Sequence, residues 1–321
     1  MLSGRREKRA LSGASPFSMP SSLFPASPQL AFRLSIFSAF GFACMNACAR
    51  QAGLAGAHFA VVGALRAFIG GVVALGFARV AGHSLRISNY GPMWKRTVFG
   101  TLSMTTCFYV LGLHVLSVAD TATLFALAPV FVALLAPVLL GEQSGPRLVP
   151  ALLLCALGVG LILGPGGGML AAGHVQHALI AMTSAFFASL AMIYLRTLGP
   201  RESSAAVAVH FSFSACAVFV MMAVMLHAPL STKALPWMLG AGVSAGAAQL
   251  LMTSAYRHDS AARVSMYGYF AIPFSALLEA LFGGRYPSWA TAGGALLVSG
   301  AGTWLARQRI PSSSTHAEPT S

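Results

Sequence analysis

Long apolar runs with very few charged residues occupy most of this chain. Only 8% of its 321 residues are charged, whereas soluble domains carry about 25%. A helix that crosses a bilayer core needs about 17–25 such residues, and runs of this length predict ten spans. The runs cover residues 30–49, 59–80, 97–118, 121–140, 148–164, 177–198, 204–226, 236–256, 261–282 and 288–306. The predicted fold class is therefore an all-α integral membrane protein with ten transmembrane helices.

One stretch of the sequence recurs 143 positions later. Residues 127–142, LAPVFVALLAPVLLGE, align without gaps with residues 270–285, FAIPFSALLEALFGGR, and six positions are identical. The chain therefore divides into two predicted repeats of five helices, residues 30–164 and 177–307, joined by an outer linker at 165–176. Duplicated halves are typical of secondary transporters, whose substrate site lies where the repeats meet.

Basic residues are concentrated in alternate loops. Sixteen fall on the side of the N-terminus and three on the other side, with Arg66 left inside a helix. The sixteen are Arg5, Arg6, Lys8, Arg9, Arg33, Arg79, Arg86, Lys95, Arg96, Arg147, Arg196, Arg201, Arg257, Arg263, Arg307 and Arg309; the three are Arg50, Lys233 and Arg285. Because cytoplasmic loops carry the excess of Lys and Arg, both termini are predicted to be cytoplasmic, in the cell (inner) membrane. An odd number of helices per half then makes the repeats inverted.

The net charge of +13 thus follows the predicted topology, and no nucleic-acid partner is expected. Residues 1–29 are basic and then rich in Ser and Pro, and residues 308–321 are also polar, so both are predicted to be disordered cytoplasmic tails. An apolar stretch does not directly follow the basic cluster, which argues against a secretory signal. Met19 is an alternative start to Met1.

A pattern around the first copy of the repeat resembles a known family. The segments Ala119-Asp120-Thr-Ala122, Leu127-Ala-Pro129-Val-Phe131 and Leu140-Gly141-Glu142 are similar to the fourth-helix signature of EamA-type carriers of the drug/metabolite transporter superfamily. In the second copy, Arg285 stands where that family often has Glu, and Pro273 is displaced by one position from Pro129. The resemblance implies ten helices in two halves, and transport of an amino acid, a vitamin or related solute, or a drug.

Polar groups inside the predicted helices are the candidates for substrate binding or coupling. Ionisable groups at membrane depth are costly, so they should face the bundle interior or a water-filled cavity. Arg66 and Glu279 are predicted to lie at similar depth in opposite repeats and to be energetically linked. They are interpreted either as a structural ion pair or snorkelling side chains, or as a substrate or proton site. The softer candidates are Asn46, Tyr109, His114, Gln249, Tyr267 and Tyr269.

The softer candidates have simpler interpretations as well. Tyr109 suits an anchor at a helix end, and His114 suits a histidine packed between helices. Tyr267 and Tyr269 straddle Gly268 ahead of Pro273, where a loosened helix would let the two rings line a cavity. The five cysteines, Cys44, Cys48, Cys107, Cys155 and Cys216, all lie in predicted helices without CxxC pairing. Packing is favoured over ligation for them, so neither a metal nor a cofactor is expected.

Three classes of function fit a chain of this kind: a secondary carrier, an intramembrane enzyme, and a receptor or scaffold. The sequence has no HExxH or GxSxG motif and few carboxylates for acid/base work, so an enzyme is disfavoured. A receptor does not readily explain inverted, duplicated halves. The sequence therefore favours a secondary carrier that moves a small organic solute by alternating access. Protons or a counter-solute are its candidate coupling partners, and a monomer and a homodimer are both compatible with the chain.

Overall fold

A computed structural model describes residues 27–113, 118–141, 146–163, 175–198, 202–283 and 289–306. Within these ranges the regular structure is helical. The α-helices are α1 (Pro28–Leu54), α2 (Phe59–Val80), α3 (Tyr90–Gly112), α4 (Val118–Phe125), α5 (Ala128–Leu140), α6 (Leu148–Leu163), α7 (Val175–Leu198), α8 (Ser204–Met225), α9 (Leu235–His258), α10 (Ala261–Tyr267), α11 (Ala271–Gly283) and α12 (Trp289–Ala306). Two 3-10 turns, Thr232–Ala234 and Gly268–Phe270, precede α9 and α11.

Six helical stretches of the described residues are long and apolar enough to cross a membrane. They are Pro28–Leu54, Phe59–Val80, Gln176–Leu198, Ser204–Met225, Thr232–His258 and Arg263–Phe282, and shorter apolar helices lie at Ala128–Leu140 and Leu148–Leu161. Large apolar side chains on the helices are exposed, as Val138 is at 80% and Leu296 at 75%, which suits a surface in contact with lipid. The protein is thus a multi-pass membrane protein, and the full number of ten spans stays a prediction.

Several helices begin earlier than the apolar runs predict, and α1 and α3 show how local signals set the start. α1 begins at Pro28, inside the segment predicted to be a tail, since proline is well suited to the first turn of a helix. α3 begins at Tyr90, after Asn89 in the N-cap position and with Pro92 in its first turn. The predicted start at residue 97 is wrong because it follows hydropathy, whereas the helix start follows these local signals. The correction moves Arg96 from a loop into a helix.

The predicted fourth span, residues 121–140, is not one continuous helix. α4 ends at Phe125 and α5 begins at Ala128, so Ala126 and Leu127 separate them. Pro129 lies in the first turn of α5, where its missing N–H would have no partner in the helix in any case. Pro129 therefore favours a new helix start over continuation of α4.

The predicted ninth span, residues 261–282, is interrupted in the same way. The 3-10 turn Gly268–Phe270 separates α10 from α11, and Pro273 again stands in the first turn after the break. α11 begins at Ala271, which is 143 positions after Ala128 at the start of α5. The spacing of the two breaks is thus the spacing of the sequence repeat, and both halves carry the same interruption.

The main helix packing joins the two halves. α1 packs on α9, α2 on α8, α3 on α7 and α6 on α12. Counted along each half, α1 corresponds to α7, and α3 corresponds to α9. The α1–α9 pair and the α3–α7 pair are therefore equivalent contacts that are related by exchange of the two halves. Small residues permit this close approach: a Cβ at Gly41 of α1 would lie 2.9 Å from the Cβ of Ala248 on α9.

Candidate functional site

A cavity of about 250 Å³ lies where the two halves meet. Its wall is built by α1 to α5 from the first half and by α7 to α11 from the second. Both helix breaks contribute to the wall, through Ala126 and Pro129 in one half and Gly268 and Ala271 in the other. Interrupted helices at the interface of two repeats are how many transporters build their substrate sites.

Most of the cavity wall is apolar. Its large side chains are phenylalanines and methionines from several helices, namely Phe42, Met45, Met104, Phe108, Phe125, Met192, Phe211 and Met252. Ligand pockets for organic molecules combine such a lining with a few polar groups that fix orientation. The flexible, polarisable methionine side chains fill irregular space and adapt to different shapes. The wall therefore suits an organic solute with an apolar portion.

Two amides predicted as site residues reach this cavity. Asn46 on α1 and Gln249 on α9 both line it, and both are buried, with 8% and 4% of their surfaces exposed. Gln249 Nε2 donates to Thr253 Oγ1 at 3.2 Å, and that hydroxyl donates to the carbonyl oxygen of Gln249 at 2.7 Å. Asn46 Oδ1 is buried without a hydrogen-bond partner. Asn46 is thus an available acceptor in the cavity wall.

Two arginines line the same cavity. Arg66 on α2 is 5% exposed and Arg96 on α3 is 3% exposed. Arg66 Nη1 donates to the sulfur of Met104 at 2.9 Å, and the Arg96 guanidinium lies over the ring of Phe211, 3.8 Å from its centroid. Both contacts are with neutral groups, so they do not balance the two buried positive charges.

Gly100 makes room for the Arg96 guanidinium. It lies one turn after Arg96 on α3, and a Cβ at this position would collide with Arg96 Nη1 and lie 2.9 Å from Phe211 Cε2. Because Gly100 has no side chain, the Arg96 guanidinium can lie beside it, between α3 and Phe211 of α8. Arg96, Gly100 and Phe211 form one local arrangement that holds the charge at the cavity wall.

Other predicted site residues lie elsewhere. Tyr109 is 39% exposed and packs edge-on against Phe59. Tyr267 is buried against Phe32, with ring centroids 5.2 Å apart. Tyr269 is fully buried in an apolar cluster that includes Cys155 of α6. None of these three tyrosines is among the residues that line the described cavity.

The remaining two predicted site residues stand apart from the cavity or outside the described chain. Glu279 lies on α11, which packs on α1, α4 and α12, whereas Arg66 lies on α2, which packs on α3, α8 and α9 and, less extensively, on α1. The energetic linkage of these two residues stays a prediction. His114 lies outside the described residues.

Arg96 is the cavity residue that sequence reasoning missed. The charges of Lys95 and Arg96 interrupt the apolar run, so hydropathy predicts that Arg96 lies in a cytoplasmic loop. Asn89 followed by Pro92 is a helix-start signal that was available in the sequence. A helix from residue 90 would have placed Arg96 nearly two turns inside α3, at a depth where a charge indicates a site.

The fold and cavity define a multi-pass helical membrane protein whose two repeats enclose a central cavity. The sequence profile of the EamA-like transporter family matches residues 29–164 and 176–306, one match for each repeat. The chain therefore belongs to the EamA-like transporter family. This finding confirms the resemblance noted in the fourth-helix segment.

Individual relatives agree with the family assignment. The pseudopaline exporter CntI of Pseudomonas aeruginosa, from two strains, is 29% identical over 269 residues, covering 83% of this chain and 92% of the exporter. A solved crystal structure of a protein with 21% sequence identity superposes with a TM-score of 0.70, covering 86% of this chain and 97% of that chain. The relative is an exporter by name, and the crystal structure shares the fold.

Proposed function

We propose that this protein is a secondary carrier that moves a small organic solute across the inner membrane by alternating access between its two repeats. The observation that carries the proposal is the cavity at the junction of the halves, whose wall includes the helix break of each half. A solute bound there contacts both repeats. A rocking motion of one repeat against the other would then expose the same site to each side in turn.

Helix pairing supports a two-fold relation between the repeats, and an odd number of helices per repeat would make that relation an inverted one. The α1–α9 and α3–α7 pairs are exchanged when the halves are exchanged, and the α2–α8 and α6–α12 pairs join equivalent helices. Such an arrangement has two equivalent packings of the same elements, which is the basis of alternating access. The basic residues of alternate loops favour cytoplasmic termini, although Arg96 no longer belongs to that set.

Export is the direction we propose. The pseudopaline exporter CntI resembles this chain over most of both lengths, and pseudopaline is therefore a first test solute. An identity of 29% is compatible with a different transported solute. The energy for transport comes from the solute gradient, from exchange or from protons, in keeping with a chain that carries no phosphate-binding loop motif.

The test is transport by the purified protein in liposomes. Vesicles loaded with pseudopaline, amino acids, vitamins or nucleosides should release at least one of these solutes faster than protein-free vesicles do. Released solute should be chemically unchanged, which mass spectrometry of the outer solution checks. A chemically altered product would support an intramembrane enzyme in place of a carrier.

A matched pair of variants on α7 tests the role of the cavity. Ala191 lines the cavity and is 7% exposed, whereas Leu179 on the same helix is 56% exposed and does not line it. Ala191→Phe should fill part of the cavity and strongly reduce transport, and Leu179→Phe should leave it close to the original rate. Equal transport by the two variants, at equal amounts of folded protein, would contradict a path through this cavity.

A further inference from the structure

We propose that the cavity binds its solute through a carboxylate, held by the guanidinium groups of Arg66 and Arg96. This inference rests on the proposed function, because it names the chemical class of the solute that the carrier moves. The solute is an organic anion whose charged end lies against α2 and α3. Its remaining portion lies against the phenylalanines and methionines of the wall.

Positive charge is left unbalanced in the lining of the described cavity. Arg66 and Arg96 are the two charged residues that line the described cavity, and its lining includes no Asp or Glu. Both are more than nine-tenths buried, and buried charges in proteins are normally paired. Polar and charged groups at membrane depth that face a cavity mark substrate or ion pathways. An anion in the cavity would provide the balancing charge that the described lining does not.

The two guanidinium groups have unused hydrogen-bonding capacity. Arg66 Nε, Arg96 Nε and Arg96 Nη1 are buried without a hydrogen-bond partner. A guanidinium presents its N–H groups in a planar fork that matches the two oxygens of a carboxylate. The contacts that the two side chains do make, with the Met104 sulfur and the Phe211 ring, fix their positions and leave these donors available.

The rest of the cavity wall suits a partly apolar organic solute. Asn46 Oδ1 is an acceptor without a partner, so it suits an N–H or O–H group elsewhere on the same solute. The apolar lining disfavours a small, fully hydrated inorganic anion, because such an ion gains nothing from phenylalanine and methionine. A carboxylate on a partly apolar body, with a donor group at some distance from it, fits these features together.

Ligand binding to the purified full chain in detergent tests this site directly. The probes are carboxylates, each paired with its neutral amide, beginning with N-acetylphenylalanine and N-acetylphenylalaninamide. The carboxylates should raise the Tm and show saturable binding, whereas their amides should not. Phosphatidylglycerol in mixed micelles is a separate arm, because a lipid headgroup is another source of an anion. Stabilisation by this lipid alone, or equal effects of acid and amide throughout, would overturn the proposal.

Variants separate a binding role from a structural one. Arg96→Gln should weaken carboxylate binding roughly 10–100-fold, as expected for loss of a charged hydrogen-bonding partner. Arg96→Lys keeps the charge but loses the fork, so its binding should be intermediate. Arg33→Gln is the matched control, since Arg33 is exposed on α1 and does not line the cavity.

The ligand-free proteins give a second readout. Arg96→Gln removes a buried charge that the described lining does not balance, so its Tm without ligand should equal or exceed that of the original protein. A lower Tm together with an unchanged carboxylate response would show that Arg96 is structural, and would overturn the proposal. Arg66→Gln should also weaken carboxylate binding, whereas a normal response in both variants would exclude the pair.

Different results would contradict the carrier proposal and the carboxylate-site proposal. If the liposomes transport only neutral or cationic solutes, the carrier proposal stands and the carboxylate site is wrong. If no solute of the panel is transported but carboxylates bind through Arg66 and Arg96, the site stands and the carrier proposal fails. If the transported solute is an anion whose amide is rejected, both proposals are supported.

Discussion

Glu202 accepts a hydrogen bond from the backbone N–H of Asn89 at 2.8 Å, across the two halves of the protein. The same oxygen, Oε1, accepts from the backbone N–H of Ser88 at 2.7 Å. Asn89 is the N-cap residue of α3, so the carboxylate lies where free N–H groups and the helix dipole favour negative charge. Nearby, Ser203 Oγ donates to the carbonyl oxygen of Ser84 at 2.7 Å. These bonds join the two halves at one end of the bundle.

Replacing Glu202 should therefore weaken this end of the bundle. Glu202→Gln keeps an oxygen acceptor but loses the charge, and we expect it to lower the free energy of unfolding by about 1–2 kcal/mol. Thermal unfolding in detergent measures the change. If Glu202→Gln has the Tm of the original protein, the hydrogen bonds at Ser88 and Asn89 contribute nothing measurable.

Close packing of α2 and α9 depends on a glycine. A Cβ at Gly242 would lie 2.6 Å from the Cβ of Ile69. Because the Cβ of Ile69 is bonded directly to the α2 backbone, rotation of the Ile69 side chain cannot relieve this clash. Gly242→Ala should destabilise the protein by about 1–3 kcal/mol, the usual cost of overpacking. The free energy of unfolding in detergent is the measurement.

Gly76 on α2 is the matched control, because a Cβ there would meet no atom within 4 Å. Gly76→Ala should be neutral or should stabilise the helix by up to about 1 kcal/mol. Equal losses of stability in the two variants would show that helix propensity, and not contact with Ile69, decides the effect.

Much of the fold could be predicted from the sequence because a membrane imposes simple rules on length and charge. The apolar runs locate most helices, and the repeat at 127–142 and 270–285 marks the two halves. The helix breaks could not be read from hydropathy, since Ala126, Leu127 and Phe270 are as apolar as their neighbours. Pro129 and Pro273, each in the first turn after a break, mark these positions, and proline is a local signal that hydropathy does not register.

Some of the residues that line the described cavity could be predicted from the sequence. Asn46, Arg66 and Gln249 reach the cavity because polar groups in apolar helices must face the interior. Sequence alone does not say which interior surface a buried residue meets, and Tyr267 and Tyr269 are buried among other helices instead. Arg96 is not among the predicted site residues because the predicted helix begins at residue 97, whereas α3 begins at Tyr90. Its role depends on Gly100 and Phe211, which only the folded structure brings together with it.

The burial of Asp259 predicts the sign of one contribution to the pH dependence of stability. It lies between α9 and α10, is 4% exposed, pairs with Arg263, and accepts from the Ser260 N–H at 2.7 Å. Burial raises the pKa of Asp259 above its ordinary value of 3.8, and the opposing effects of Arg263, the Ser260 N–H and Arg196 are smaller. The folded protein therefore holds this proton to a higher pH than the unfolded chain does.

The stability contributed by Asp259 should fall as the pH rises from about 3.8 through the folded-state pKa. Asp259→Asn cannot titrate, so the Tm of this variant should vary less with pH than that of the original protein between pH 4 and pH 7. Thermal unfolding at a series of pH values in one detergent gives both curves. Curves that remain parallel would show that Asp259 titrates alike in the folded and unfolded states.

Reporter fusions test the predicted topology. A fluorescent protein that folds only in the cytoplasm should be bright when fused after Arg309 or within residues 199–203, and dark when fused within residues 165–175. Alkaline phosphatase, which is active only outside the cytoplasm, should give the opposite pattern at the same three positions. The reason is the excess of Arg and Lys on one side, which remains large after Arg96 is moved into α3. Phosphatase activity after Arg309 together with fluorescence at 165–175 would reverse the orientation of both halves.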